Sequence, residues 1–340
     1  MALQEVFSQF LKVLGKNALF SINSIIMAIV NFASSYYFLA IRHDTVNGYF
    51  YGLIISYFFS IAFCFVTGSI WTYLGFNRFN RSILRQMVTY SSPLVPSALS
   101  RWVVQAVDKY MVLAFLGGSI AGIYSASYKI PNICGAFVNI FIQAWEISAI
   151  QNIGNKALFS SILRRFQLMV FAGSSILITL SWYLAGFLYK GEFIQAYRYV
   201  PFLIVAYSFS YLQAFMECVY VAVKDTKGLM ITSIIGAVSN IILNFCLIPV
   251  FEVYGAILAT GISFFLVFIV RFASAYKRGT MDRIDIRLYI DFILLFLQAG
   301  LCLSSNVILK WGSFVIMLVI CIPKIKSIYL DLTKLFKGER

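Results

Sequence analysis

Long apolar runs without strand-like alternation recur from Asn17 into the C-terminal third of this chain, and they limit what it can become. A helix needs about 20 apolar residues to cross the hydrocarbon core of a bilayer. Only helices and closed barrels satisfy their backbone polar groups there. A membrane β-barrel would show segments of about ten residues alternating apolar and polar, and this sequence shows none. Composition closes the argument: of the 340 residues, 61% are hydrophobic and 12% charged, with a mean hydropathy of +0.86. A soluble domain is about half apolar and a quarter charged, and a disordered chain is poorer in Phe, Tyr and Ile. The expected fold is all-α, a polytopic transmembrane helical bundle of about ten spans.

Those spans are expected near residues 17–41, 47–71, 86–116, 119–150, 163–189, 199–223, 228–250, 254–275, 287–305 and 307–325. The third and fourth are long and carry prolines, so tilt or kinking is expected. The first run has no small-residue cleavage site and reads as a retained helix. Net charge is +14, which in a soluble protein would point to nucleic acid. Here it orients a membrane protein, and no nucleic-acid partner is expected. Nineteen lysines and arginines fall on one side, between Lys12 and Arg340; Arg42, Lys190, Arg198 and Lys310 are the four on the other. The positive-inside rule then places both termini in the cytoplasm of a multi-pass inner-membrane protein. The six cysteines lie singly in apolar runs and read as small packing residues.

A charge at the centre of a span costs about 2.5–3.5 kcal/mol on insertion scales, so each needs a reason. In the fourth span Lys129, Asn132, Asn139, Gln143 and Glu146 fall on one stripe at 100° per residue. In the third, Ser97, Arg101, Gln105 and Asp108 follow the same spacing. Hydrogen-bond glue between helices would explain the Asn and Gln residues. It does not require Arg101 and Lys129 at depth, which favours a water-filled cationic cavity. A weaker stripe in the sixth span joins Ser210, Gln213, Glu217 and Tyr220, with Glu217 equally suited to a cavity or an interface. Arg271 reads as a snorkelling anchor, and Arg287 and Asp291 as an ordinary i,i+4 pair. Lys109 points about 100° away from Asp108, toward the cavity edge or the outer interface.

Nothing in the pattern supports catalysis. His43 is the one histidine and sits in a short external turn, so neither a metal centre nor a Ser/His/Asp triad is available. No Walker-type glycine loop occurs. No enzyme activity, cofactor or metal is expected.

Three segments carry a specific resemblance. Tyr90 to Tyr110, YSSPLVPSALSRWVVQAVDKY, resembles the helix that opens the second half of bacterial polysaccharide flippases, with its Y-S-x-P-L-x-P-S start and x-D-[RK]-Y end. Gly122 to Ile150 is similar to that family's G-I-Y-x-x-x-x-K-I-P and Q-A-W-x-x-S-A elements. Asn240 to Ser263 resembles its N-x-x-L-N-x-x-L-I-P and G-A-x-x-A-T-x-x-S helix pair. All three occur in order at helix-pair spacing, covering about residues 80–280 well and the first 75 loosely. The family is that of the Wzx-type O-antigen and capsule flippases, polysaccharide transporters of the multidrug/oligosaccharidyl-lipid/polysaccharide exporter superfamily.

The resemblance implies alternating access between two six-helix bundles, moving undecaprenyl-diphosphate-linked oligosaccharide across the bacterial inner membrane. Residues 1–75 would be a remnant of the first bundle, a cytoplasmic linker plus two spans. Residues 76–276 would form the complete second bundle, and 277–340 two C-terminal spans with a basic tail. The chain would then be N-terminally truncated by about four helices. Arg101 and Lys129 are the candidates for diphosphate or acidic-sugar contacts. Gln105, Asn132, Asn139, Gln143 and Tyr124 suit sugar hydroxyls. Asp108, Glu146 and Glu217 are candidates for ion coupling by H⁺ or Na⁺, and Pro93, Pro96 and Pro131 for hinges. Implied partners are the lipid-linked substrate, membrane lipids, and the polymerase and glycosyltransferases of the same pathway. The competing readings are a drug exporter, which would want an acidic cavity, a polymerase or glycosyltransferase, which would want a large external loop, and a non-transporting scaffold.

Overall fold

The computed structural model describes residues 2–43, 46–73, 80–283, 287–304, 308–309, 311–320 and 322. All regular structure among them is helical, as the apolar runs require. The chain forms two compact units, Met1–Leu84 and Arg85–Arg340. The boundary expected at residue 75 lies outside the described residues, as do Arg78 and Lys310.

The first unit contains α1 (Ala2–Val13), α2 (Asn17–Tyr36) running into a π-helical turn at Tyr37–Ile41, α3 (Val46–Thr67) and a 3₁₀ turn at Ile70–Thr72. What α3 buries is a stripe of small residues at four-residue intervals, Gly48, Gly52, Ser56, Ser60 and Cys64. Small side chains let helices approach closely in lipid, where no hydrophobic force drives them together. Ser34 Oγ donates to the Gly52 carbonyl at 3.2 Å and Ser60 Oγ to Asn23 Oδ1 at 2.9 Å. A Cβ on Gly52 would stand 2.6 Å from Ser35 Oγ.

The helix α4 (Arg81–Ser91) leads into the second unit. There follow α5 (Leu94–Leu116), α6 (Gly118–Ser127), α7 (Lys129–Gln151), α8 (Lys156–Leu188), a 3₁₀ stretch at Gly191–Arg198, α9 (Val200–Ala222), α10 (Thr226–Lys277), α11 (Arg287–Cys302) and α12 (Trp311–Ile320). Side-chain caps start three of the described helices: Asn80 Oδ1 accepts from Ser82 N at 2.9 Å, Asn155 Oδ1 from Leu158 N at 3.0 Å and Asp225 Oδ1 from Gly228 N at 2.9 Å.

The 52 residues of α10 are two antiparallel arms. Glu252 leaves helical geometry at φ 52°, ψ −131°, three residues after Pro249. The cross-arm contacts count outward from that bend. Leu247 meets Gly255, Asn240 meets Thr260, Val267 lies over Gly236, and Arg271 reaches Thr232 and Ser233. A Cβ at Gly255 would stand 2.2 Å from the Leu247 carbonyl oxygen, so the bend closes only over a glycine.

Six described helices, α10 included, are long and apolar enough to cross a membrane. With α10 counted as two spans, and with charge-bearing α5 and the shorter α11 and α12, each of the ten expected segments contains a helix. The core of the second unit centres on α9, buried along most of its length. Trp145 and Phe166 stack on Phe215, with ring centroids 4.8 and 5.4 Å away.

Polar ties gather several basic connections at one end of this unit. Lys156 pairs with Asp282 at 3.1 Å, Ser160 Oγ accepts from Asp282 N at 2.9 Å, and Arg278 pairs with Asp225 at 2.5 Å. The hydrogen bond from Lys156 holds the Asp282 carboxyl below the usual carboxylate range. The positive-side assignment required these connections to share one side.

Candidate functional site

A helical wheel divides α7 into three faces. Ile130, Cys134, Val138, Trp145 and Ala149 are buried against the bundle. The polar stripe of Lys129, Asn132, Asn139, Gln143 and Glu146 is exposed throughout. Beside it runs an exposed apolar face of Ile133, Phe137, Ile140 and Ile147. A helix with separate exposed polar and apolar faces belongs at a boundary between water and lipid, and neither medium alone suits both. Among the described residues Lys129 forms no ion pair; its ammonium stands 6.0 Å from the Tyr189 ring centroid.

The stripe on α5 is split. Arg101 and Gln105 are exposed, whereas Ser97 and Asp108 turn into the core. Arg101 Nη1 pairs with Glu217 Oε1 of α9, and Glu217 Oε2 lies 3.7 Å from Arg271 Nη1 of α10. Arg271 is no snorkelling anchor. It is completely buried, donating from Nε to Thr232 Oγ1 at 3.0 Å, from Nη1 to the Gln213 carbonyl at 3.1 Å and from Nη2 to Ser233 Oγ at 2.8 Å. The snorkelling reading failed because the second arm of α10 packs its polar residues against the first arm. On α9, Gln213 and Tyr220 are buried while Glu217 is partly exposed, so most of that stripe serves helix packing. Asp291 is buried and accepts from Gln167 Nε2 at 2.9 Å; the Arg287 side chain lies outside the described residues.

Asp108 is the centre of the buried polar structure. Its Oδ1 accepts from Asn240 Nδ2 at 3.0 Å and Asn244 Nδ2 at 2.7 Å, and its Oδ2 from Tyr128 Oη at 3.3 Å and from Thr260 Oγ1. One carboxylate therefore ties α5 to both arms of α10 and to the break between α6 and α7. Among the described residues no lysine or arginine pairs with it. Asn240 Oδ1 and Asn244 Oδ1 are buried without a hydrogen-bond partner. Both amides turn their N–H groups, not those oxygens, toward the carboxylate, so Asp108 sits in a cage of neutral donors. Among the described residues no group of three or more His, Cys, Asp or Glu side chains is placed to hold a metal ion.

Tyr124, expected to meet sugar hydroxyls, is fully buried, its hydroxyl 2.6 Å from that of Tyr128. It stands behind Asp108 rather than on an exposed face. The prolines sit at helix breaks: Pro93 caps α5, Pro96 lies in its first turn, and Pro131 lies in the first turn of α7. Proline's missing N–H costs nothing in a first turn. Tyr211 Oη donates to the Pro131 carbonyl at 2.9 Å.

Asn240, Asn244 and Thr260 belong to the motif from Asn240 to Ser263 but form no polar stripe, because a single polar residue per turn on an apolar helix reads as packing. The bend brings them together: sequence positions equidistant from a hairpin tip meet, and these three face one carboxylate.

Fold and site together define an all-α transmembrane bundle with a buried polar centre and an exposed polar stripe. The chain matches no protein-family model and no curated protein sequence. Among solved structures it is similar in fold to the lipid II flippase MurJ in an inward closed conformation. That likeness has a TM-score of 0.58 at 18% identity, over 99% of this chain and 71% of that one.

Proposed function

We propose that this chain is part or all of a carrier that moves an anionic, lipid-linked oligosaccharide across a bacterial inner membrane by alternating access. The observation that carries the reading is the exposed stripe from Lys129 to Glu146, beside an exposed apolar face on the same helix. A lipid-linked sugar diphosphate has the same two-sided demand, a wet path for its head and lipid for its tail. The MurJ-like fold supports a flippase over a polymerase or glycosyltransferase. The motifs between Tyr90 and Ser263 narrow the substrate to an undecaprenyl-diphosphate-linked O-antigen or capsule repeat unit.

In this reading Arg101 and Lys129 meet the diphosphate, and Gln105, Asn132, Asn139 and Gln143 the sugars. Glu217 holds Arg101 when no substrate is present. Asp108, positioned by Thr260, Asn240 and Asn244, is the coupling group and takes up a sodium ion or a proton that balances its charge. Residues 76–276 act as one bundle rocking at the breaks beside Pro93 and Pro131. Both termini face the cytoplasm. The drug-exporter reading is disfavoured by the cations on the exposed faces.

The test is complementation of a flippase-deficient host by the full chain. Arg101→Ala and Lys129→Ala should abolish surface polysaccharide at normal protein levels, and Arg101→Lys should keep part of it, since charge survives without the guanidinium fork. Unchanged polysaccharide in both alanine variants would overturn the assignment.

A further inference from the structure

The exposed face of α5 carries two parallel ridges. One is Arg101, Gln105 and Lys109; the other is Trp102, Ala106 and Tyr110. Each advances four residues per step, so the members of a ridge stack along the helix. Where α5 and α6 diverge from the Gly117 turn, these ridges wall an open groove of about 510 Å³. Trp102, Gln105, Lys109 and Tyr110 line it from α5, with Gly122 and Ser125 from α6.

Two properties suit this groove to a sugar. Its rings are presented outward, Trp102 being 62% and Tyr110 67% exposed, with only Ala106 between them. Eight residues of helix separate the two rings by about 12 Å along the axis. Second, the polar groups beside them are unspent. Among the described residues the side chains of Gln105, Lys109 and Ser125 make no hydrogen bond or ion pair. The Lys109 ammonium rests 5.2 Å from the ring centroid of Tyr128.

We propose that this groove is a saccharide subsite selective for a sugar that bears an acid group. Trp102 and Tyr110 are flat amphipathic platforms for the apolar faces of successive sugar rings. Gln105 and Ser125 supply hydrogen bonds to hydroxyls, and Lys109 supplies the only charge in the lining, which fits an anion. The subsite continues from Arg101, one turn before Gln105, so a diphosphate held at Arg101 leads its glycan into the groove. This deepens the flippase reading and rests on it. It adds Trp102, Lys109, Tyr110 and Ser125 to the residues that recognise substrate.

The test uses the purified full chain in detergent and the intrinsic fluorescence of its tryptophans. The probes are a trigalacturonate, a maltotriose of equal length and inorganic pyrophosphate. Trigalacturonate should change the emission saturably, the change should vanish in Trp102→Phe, and Lys109→Gln should weaken binding at least tenfold. Maltotriose should bind at least tenfold more weakly than trigalacturonate. Equal responses to both oligosaccharides would overturn the selectivity. Competition by pyrophosphate at the same concentration as trigalacturonate would reassign Lys109 to the diphosphate and overturn the sugar subsite. No response in wild type would overturn it too. Both substituted side chains are exposed, so the variants keep the core intact. The transport reading fails separately: export that survives Arg101→Ala sinks it, while export lost there with no Trp102 response sinks the groove alone.

Discussion

Removing the Glu217 carboxylate is the sharpest probe of the buried architecture, because Glu217 serves two arginines in different surroundings. Arg271 is fully buried and Glu217 is its one carboxylate partner among the described residues, at 3.7 Å. Orphaning one member of a buried pair costs about 3–5 kcal/mol. Three hydrogen bonds to neutral acceptors remain on the guanidinium, and the Glu217 side chain is 24% exposed, so about 3 kcal/mol, the low end, applies to Glu217→Ala. Arg101 is 44% exposed, and losing its screened pair is worth about 0–1 kcal/mol. In a unit of this size about 3 kcal/mol lowers Tm by roughly 6–12 °C. Thermal melts in detergent should therefore show Glu217→Ala well below wild type and Arg101→Ala close to it. Adding Arg271→Met to Glu217→Ala should recover most of the loss, since no buried charge is then left unpaired. Equal melting of Glu217→Ala and wild type, or an Arg101→Ala loss as large as that of Glu217→Ala, would refute this partition.

Further outcomes follow from particular contacts. In a background without native cysteines, Cys substituted at Asn132, Asn139 or Gln143 should react with membrane-impermeant thiol reagents. Cys at Ile133 or Ile140 should not, because lipid suppresses the thiolate; equal labelling would mean that the polar stripe does not face water. Gly255→Ala places a Cβ against the Leu247 backbone and should cost about 1–3 kcal/mol or prevent folding. Gly186→Ala, with open space around its Cβ, should melt at or above wild type. If sodium is the coupling ion, replacing sodium with choline should lower the wild-type Tm and leave that of Asp108→Asn unchanged; a shift of equal size in both would exclude Asp108 from the cation site.

The fold class and the helical segments were legible because apolar length and missing alternation admit only one backbone solution in a bilayer. The exposed stripe on α7 was legible for a related reason: five polar residues on one face of an otherwise apolar helix cannot be accidental packing. What sequence spacing could not resolve was partner choice. Asp108 shares a stripe with Arg101 and Gln105, yet a shift of a fraction of a turn puts it inside, where four donors from other helices meet it. Arg271 sits near a helix end, where snorkelling is the default, but the antiparallel arm of α10 offers it Thr232 and Ser233. Tyr124 was assigned to sugars by residue type alone, and its hydroxyl is held by Tyr128. Long-range pairing across a hairpin has no local signature; it becomes readable once the bend at Glu252 is known.

The central claim is that a cationic wet path carries an anionic lipid-linked glycan, and reconstitution tests it most directly. The full chain is placed in proteoliposomes holding a fluorescent oligosaccharide linked to a polyprenyl diphosphate, and a membrane-impermeant quencher reports which leaflet the head group occupies. Wild type should equilibrate the label between leaflets, and the Arg101→Ala, Lys129→Ala double variant, equally folded, should leave it where it began. Equilibration at the same rate by both proteins, or no equilibration by wild type, would contradict the account.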